Sequence, residues 1–162
     1  MIFSFYVYSR SGACLFQEKW NAGVGGGRAV TYSDPEEEKR LLFGLIFSLK
    51  EFVFKLAPQS QQGDSTAADG AQGAQPMEGL QRYQTGAYTC HHYETPSGLR
   101  FILMTDNQAG DLSATLRYIY AQIYIDTVVN NPLSDVKTAK TINSQLFRAQ
   151  LKQYLESQPC FR

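Results

Sequence analysis

The residues that enzymes use for acid–base and nucleophilic chemistry are scarce in this sequence. It contains two histidines, His91 and His92, and three cysteines, Cys14, Cys90 and Cys160, with no CxxC spacing. The histidines are neighbours in a segment with the pattern of a β-strand, where successive side chains point to opposite faces, so they cannot bind one metal ion together. We therefore expect no catalytic residues, no metal and no cofactor, and we expect the cysteines to be reduced.

An excess of charge and a long hydrophobic run are also lacking. Fifteen basic residues balance fifteen acidic ones, so no net field favours nucleic acid or an anionic membrane as the main partner. No run approaches the roughly 20 apolar residues of a membrane-spanning helix. The first ten residues lack the basic leader of a signal peptide. We expect a soluble, cytoplasmic protein with no direct membrane span and no nucleic-acid partner.

Two stretches are poor in large apolar side chains. Asn21–Ser33 contains the cluster GVGGG, but it lacks the spacing of phosphate-binding loops, so we predict a flexible connection. Ala57–Gly79 is rich in Gln, Ala, Gly and Ser, and it can bury too little apolar surface to offset the entropy of ordering. We predict a single domain over residues 1–162, with residues 57–79 forming a disordered loop insertion within it.

Five segments have the alternation and the aromatic or β-branched content of strands. They are Ile2–Tyr8, Ala13–Trp20, Leu80–Thr85, Tyr88–Thr95 and Leu99–Thr105. The turn Ser9–Gly12 joins the first two as a hairpin, and we expect the first strand to lie inside the sheet. Short turns at Gly86 and Pro96–Gly98 join the last three, which predicts an antiparallel meander.

The stretch Asp34–Leu56 predicts a long amphipathic helix. Asp34 is a good cap, Pro35 suits the first helical position, and three glutamates follow near the helix N-terminus. One apolar stripe should lie on the sheet, and it comprises Leu42, Leu45, Ile46, Leu49, Phe52, Val53 and Leu56. Phe43, Phe47 and Phe54 fall beside that stripe, so the apolar arc is wider than one sheet face requires. A second layer of the domain or another protein should cover this surplus.

Two further helices are predicted near the end of the sequence. One runs from a cap at Asp111 to about Val129 and stops before Pro132, and the other runs from about Thr141 to Ser157. The element order is therefore β-β-α-β-β-β-α-α. We predict an α+β fold, a three-layer α-β-α domain whose five-stranded sheet is largely antiparallel. One long helix should lie on one face and two helices on the other.

Several stretches resemble known proteins. They are YVYSRSGACLFQEKW, EEEKRLLFGLIFSLKEFVFKLAP, YQTGAYTCHHYETPSGLRFILMTD, LRYIYAQIYIDTVVNNPL and QLFRAQLKQYLESQPCF. The element order is similar to that of longin-like domains. The motifs resemble more narrowly the small core subunits of the transport protein particle (TRAPP), in particular the family of its first such subunit. TRAPP is a vesicle-tethering complex with longin-like and sedlin-related subunits. The glycine-rich loop and the 57–79 insertion depart from the family pattern.

The resemblance implies a non-catalytic, obligate subunit of a hetero-oligomer. Such complexes tether vesicles in ER-to-Golgi and Golgi transport, and they catalyse nucleotide exchange on a Rab-type GTPase through a composite surface. The expected location is cytoplasmic and peripheral at the Golgi apparatus and endoplasmic reticulum. The expected partners are other small TRAPP subunits and the GTPase.

Two surfaces are candidates for contact with a neighbouring subunit. The first consists of Phe43, Phe47 and Phe54 with the small residues Gly44 and Ser48, where another backbone can approach closely. The second is the C-terminal segment with Tyr154 and Phe161, whose alternative reading is a tail folded back on its own sheet. Other readings of the whole chain stay open. They are another longin-type trafficking or adaptor module, and a profilin-like domain that binds a small molecule.

Overall fold

Five strands form one sheet, and three helical regions cover its two faces. The computed structural model describes residues 1–20, 35–56, 79–131 and 141–161. The elements are β1 (Ile2–Tyr8), β2 (Cys14–Lys19), α1 (Pro35–Leu56), β3 (Arg82–Gln84), β4 (Thr89–Glu94), β5 (Arg100–Thr105), α2 (Ser113–Tyr118), a π-helical segment (Ile119–Val129) and α3 (Gln145–Glu156). The predictions for the glycine-rich connection, the Asp34 cap, residues 57–78 and the stop at Pro132 lie outside the described residues.

The sheet has the strand order β2-β1-β5-β4-β3, and all four of its pairings are antiparallel. β1 lies between β2 and β5, with Phe5 opposite Glu18 on one side and Leu103 on the other. The predicted hairpin, the meander and the inner position of the first strand are therefore confirmed. β3 is shorter than predicted, with three residues at one edge of the sheet.

Alternation along β1 divides the core between the two sheet faces. Phe5 and Val7 belong to a large cluster with α2, the π-helical segment and α3, whereas Tyr6 and Tyr8 belong to a smaller cluster with α1. Residues two apart on a strand share a face, so this division follows directly from the β1 sequence. The predicted α+β fold with three α-β-α layers is confirmed.

Gly12 makes the β1–β2 turn compatible with the layer above it. Its φ is 90°, which favours glycine over residues with a Cβ. A Cβ at this position would also lie 2.8 Å from Cε1 of Phe43 on α1. The turn therefore depends on glycine for both its backbone conformation and its close contact with α1.

The second of the three predicted helices differs from the structure in its helix type. A single α-helix from Asp111 to Val129 was expected, but α2 ends at Tyr118 and is followed by π-helix. The Asn130 N–H donates to the Ile125 carbonyl at 2.8 Å, which is the five-residue spacing of a π-helix. The same spacing would pair the Thr127 carbonyl with residue 132, a proline that has no N–H. The Ser144 hydroxyl donates to that carbonyl instead, at 3.4 Å.

α3 begins later than its apolar pattern suggested. The Ile142 N–H donates to the Leu15 carbonyl of β2 at 2.7 Å, so this part of the chain runs along the sheet edge instead of entering the helix. Ser144 then caps the helix, because its side chain accepts the Phe147 N–H. The contact at Leu15 also covers part of the outer edge of β2.

Candidate protein interface

α1 contacts the sheet through a short apolar segment. Ile46 is fully buried, and Leu42 and Phe43 are half-buried against the cluster that contains Tyr6 and Tyr8. These side chains are three or four residues apart, which places them on one side of the helix. The apolar contact is thus concentrated in the middle of α1.

Ion pairs hold α1 on either side of this contact. Glu38 accepts a hydrogen bond from the Tyr6 hydroxyl at 2.7 Å and pairs with Lys19 of β2 at 2.5 Å. Lys50 pairs with Glu94 at the end of β4, also at 2.5 Å. The helix therefore crosses from the β2 side of the sheet towards β4, and its last turn and a half extends past the final anchor.

Most of the large apolar side chains that the described residues expose belong to α1. They are Leu41, Leu45, Phe47, Phe52, Val53, Phe54 and Leu56, and their exposed fractions range from 40% at Leu45 to 80% at Leu56. Such a concentration of exposed apolar side chains on one helix is typical of a surface that contacts another molecule.

Four of these residues correct the prediction made from the helical stripe. Leu45, Phe52, Val53 and Leu56 were expected to lie on the sheet, but they are exposed. A helix of 22 residues is about 33 Å long, whereas five strands span about 24 Å. The far end of α1, with Phe52, Val53 and Leu56, therefore extends beyond the width of the sheet. Leu45 is in the middle of the helix and is exposed because it lies on a side flank, about 100° from the buried Ile46. The sequence pattern identified apolar residues correctly and assigned too many of them to the core.

The predicted phenylalanine flank is only partly free. Phe43 packs on the Tyr8 ring at a centroid distance of 5.6 Å and is half-buried. Phe47 stacks on Phe43 at 6.4 Å and leaves half of its surface exposed. Phe54 is 64% exposed. Phe43 thus supports Phe47 from below, while Phe47 and Phe54 are the members of the flank that another molecule can reach.

Gly44 and Ser48 lie on the outer crest of α1. Both are exposed, and a Cβ at Gly44 would meet no atom within 4 Å. At 100° per residue, the crest separates Leu45 on one side of the helix from Phe47 on the other. The predicted small-residue notch therefore faces outwards between two apolar flanks, which suits the close approach of a second helix.

The C-terminal candidates have partners within the chain. Tyr154 of α3 stacks on Tyr118 with centroids 4.5 Å apart, and Phe161 packs edge-on against Trp20 at 6.1 Å. Both are half-buried beside the larger core cluster. Phe161 folds back on its own sheet, as the alternative reading had it. α1 consequently offers much more unpartnered apolar surface than this segment does.

The potentially reactive side chains of Cys90, His91 and His92 are buried in the domain. Burial raises the pKa of Cys90 to about 12, which makes the thiolate scarce at neutral pH. His91 and His92 contact Thr105 and the Leu80 carbonyl respectively, on opposite faces of β4. No set of three or more potential metal ligands comes together among the residues that the structure describes. No helix in the same part of the chain is long and apolar enough to span a membrane.

Comparison with known proteins agrees with this architecture. Residues 2–158 match the model of the Sybindin-like family. The chain belongs to this family. A relative in Homo sapiens, trafficking protein particle complex subunit 1, is 31% identical over 160 residues, covering 99% of this chain and 95% of the relative. The subunit 1 of Dictyostelium discoideum is 32% identical over 161 residues and covers 99% of both chains. The similarity to TRAPP core subunits indicated by the motifs is confirmed.

A more distant relative has a different subunit name. Trafficking protein particle complex subunit 4 of Pongo abelii is 29% identical over 119 residues, covering 74% of this chain and 46% of that protein. The similarity therefore extends, over part of the relative, to a protein that carries another subunit number.

Proposed function

We propose that this chain is a non-catalytic core subunit of a trafficking protein particle that tethers vesicles in ER-to-Golgi and Golgi transport. The relatives named as subunit 1 of such a particle align with nearly the whole chain, which supports the assignment. The observation that carries it is the unpartnered apolar surface of α1, because a subunit of an assembly requires a surface of this kind and an independent monomer does not.

The proposed contact is between α1 and a neighbouring subunit with the same type of fold. Phe47 and Phe54 on one flank and Leu45 on the other are exposed aromatic and aliphatic groups of the kind that dominate binding energy once desolvated. Gly44 and Ser48 between them let a partner helix approach to a short interaxial distance. The similarity to subunit 4 supports a partner of related structure.

The activity proposed for the assembled particle is nucleotide exchange on a Rab-type GTPase. Exchange requires a surface that binds the nucleotide-free GTPase more tightly than the nucleotide-bound form, and it needs no covalent chemistry. Several subunits would form that surface together, and this chain would contribute contacts and shape. The particle would act in the cytoplasm, peripherally at the Golgi apparatus and endoplasmic reticulum.

The decisive experiment compares Phe47→Asp with a matched control, Leu146→Asp. Phe47 and Leu146 are about equally exposed, at 50% and 53%, but they lie on opposite layers of the domain. Each chain is coexpressed with the other small subunits of the particle, purified through a tag, and examined by sizing and mass spectrometry. An aspartate in a desolvated apolar contact should weaken binding at least thirtyfold, which corresponds to about 2 kcal/mol.

The expected result is a stoichiometric particle for the wild-type and Leu146→Asp chains, and a folded but unassembled Phe47→Asp chain. A wild-type chain that remains a lone, stable monomer would overturn the proposal. A Phe47→Asp chain that assembles normally would leave the particle assignment intact and remove Phe47 from the interface.

A further inference from the structure

Two turns and α1 meet at one corner of the domain and bring several cationic side chains together. The β1–β2 turn contributes Arg10, the start of β5 contributes Arg100, and α1 contributes Lys50. Glu94 at the end of β4 is the carboxylate that pairs with two of them. We call this group, together with the Phe43 ring beside it, the arginine corner.

Arg100 is nearly enclosed but poorly supplied with hydrogen-bond acceptors. The residue is 7% exposed, and its guanidinium lies over the Phe43 ring at 5.0 Å from the centroid. Its Nε and one terminal nitrogen are buried without a hydrogen-bond partner in the described part of the chain, and Oε1 of Glu94 is 3.8 Å from Nε. That separation is too long for a hydrogen bond. Lys50 meanwhile takes the other oxygen of Glu94 at 2.5 Å.

Arg10 is held close to this group by a glycine. Gly98 has a φ of 86°, and a Cβ there would lie 3.0 to 3.1 Å from Cγ, Cβ and Cδ of Arg10. The aliphatic part of Arg10 therefore lies across the β4–β5 turn, and the residue is exposed. Over the four ranges that the structure describes, no carboxylate or carbonyl pairs with its guanidinium.

The arginine corner consequently has an excess of positive charge beside an exposed aromatic side chain. It contains three cationic groups and one carboxylate, and Phe47 stacks on the outer side of Phe43. Arginine and aromatic side chains together are typical of interface positions that contribute much of the binding energy. The corner is continuous with the proposed interface through Phe43 and Phe47.

We propose that the subunit covering the Phe47 side of α1 places a carboxylate side chain in the arginine corner. The Asp or Glu would pair with the exposed guanidinium of Arg10, while an apolar neighbour in the same segment covers Phe47. The inference rests on the proposed function, since it specifies the chemistry of the subunit that meets α1. A carboxylate fits because it accepts the charge-assisted hydrogen bonds that the exposed Arg10 guanidinium lacks among the described residues, and can do so with both oxygens.

The first test reverses the charge of Arg10, whose side chain is exposed. Particles containing Arg10→Glu are compared with wild-type particles and with the control Lys152→Glu, an exposed cation on α3 in the opposite layer. Native mass spectrometry follows the retention of each subunit as salt is raised. We expect Arg10→Glu to weaken retention of one neighbour about tenfold and the control to behave as wild type.

The second test identifies the carboxylate directly. Arg10→Lys supplies a primary amine at the same place, and a carbodiimide then couples it to any carboxylate in contact. Mass spectrometry should find the resulting amide with one Asp or Glu of a neighbouring subunit, and changing that residue to Lys should restore binding to Arg10→Glu. Absence of an intersubunit product, together with wild-type retention of Arg10→Glu at every salt concentration, would overturn the inference.

These results are distinguishable from a failure of the proposed function. If the wild-type chain enters no particle, the assignment as a subunit fails and the arginine corner fails with it. If the wild-type chain assembles and Phe47→Asp does not, but Arg10→Glu retains every neighbour as wild type does, then only the carboxylate partner is excluded.

Discussion

At the scale of single residues, His91 has the most unusual environment. It is 1% exposed on the face of β4 against which α2 packs. The Thr105 hydroxyl donates to the Asp106 carbonyl at 3.0 Å, so it accepts from Nε2 of His91 at 3.2 Å. Nδ1 is then the bare nitrogen, and it is buried without a hydrogen-bond partner among the described residues. Protonation of this ring would place a positive charge where the described part of the chain offers Nδ1 no acceptor.

The free energy of unfolding should fall when the pH drops below the ordinary pKa of histidine. Burial, followed by the charge of Arg82, lowers the pKa of His91 from 6.5 to about 4. The unfolded chain binds a proton near pH 6.5 and the folded chain does not, so stability is lost from there down to about pH 4. For His91→Gln, which cannot titrate, the loss between pH 7.5 and pH 5 should be about 2 kcal/mol smaller.

Denaturant unfolding of both chains across this range provides the measurement. The two curves of stability against pH should run parallel above pH 7.5, where the imidazole is neutral in both states. Parallel curves below pH 6 as well would show that His91 becomes charged in the folded protein.

The histidines also show what sequence can establish at this scale. Their opposite orientation followed from the two-residue repeat of a strand, and the contacts to Thr105 and Leu80 agree with it. Their burial did not follow, because it depends on which helices cover each face of β4. Arg100 is similar, since its position over Phe43 depends on the crossing of α1 above β5.

At the scale of elements, the helical structure of α1 was predicted correctly, but several of its residues were wrongly predicted to pack on the sheet. The helix ends at Leu56 as expected, and the apolar positions are those that the sequence indicated. Periodicity gives the direction in which each side chain points, but not where the sheet ends beneath it. Phe52 and Leu56 were therefore assigned to the core although they lie beyond the last anchor at Lys50.

The π-helical segment could not be distinguished from α-helix in the sequence. Its buried residues include Ile119, Ile123, Tyr124 and Val128, which are separated by four or five positions. An i, i+4 repeat fits an α-helix, and an i, i+5 repeat fits a π-helix, so the apolar pattern alone leaves the helix type undecided.

Gly44 permits an experiment that separates folding from assembly. Gly44→Ala should raise the unfolding free energy of the isolated chain by about 1 kcal/mol, because glycine is the poorer helix former and the new Cβ meets nothing. Gly44→Leu should likewise fold at least as stably as the wild type. If a partner helix enters the notch, however, the leucine occupies its place and assembly should weaken at least tenfold.

Chemical denaturation of the isolated chains and co-purification of the particle give the two readouts. A Gly44→Leu chain that folds and still assembles like the wild type would show that the partner does not contact the notch. A chain that fails to fold would contradict the open space around Gly44.

At the scale of the whole molecule, the fold followed from connection lengths. The hairpin and the meander have short turns, so α1 between them had to cross a sheet face, and the last two helices had to cover the other face. The division of β1 into Phe5 and Val7 on one side and Tyr6 and Tyr8 on the other confirms this layering. The neighbouring subunits could not be derived in the same way. The exposed apolar residues of α1 are typical of a contact surface, but they do not specify the sequence of the partner.

The proposed insertion at residues 57–79 gives the last prediction. Gly79 lies beside Lys50, with 4.0 Å between a Cβ at the glycine and Cγ of the lysine. Leu56 is six residues further along α1, a rise of about 9 Å, so a few extended residues can connect Leu56 to Leu80. Replacing residues 57–78 with about eight glycines and serines should preserve the fold. It should raise the unfolding free energy by roughly 1 kcal/mol, since a shorter loop loses less entropy on closure.

Denaturant unfolding and reconstitution of the particle test this prediction together. If the segment is an insertion without packing of its own, the shortened chain gains this small stability and assembles like the wild type. A loss of more than about 2 kcal/mol would mean that the segment buries apolar surface, because loop entropy alone cannot destabilise a shortened connection that still reaches. Normal stability with loss of one subunit would instead place the segment in the interface, next to the exposed end of α1.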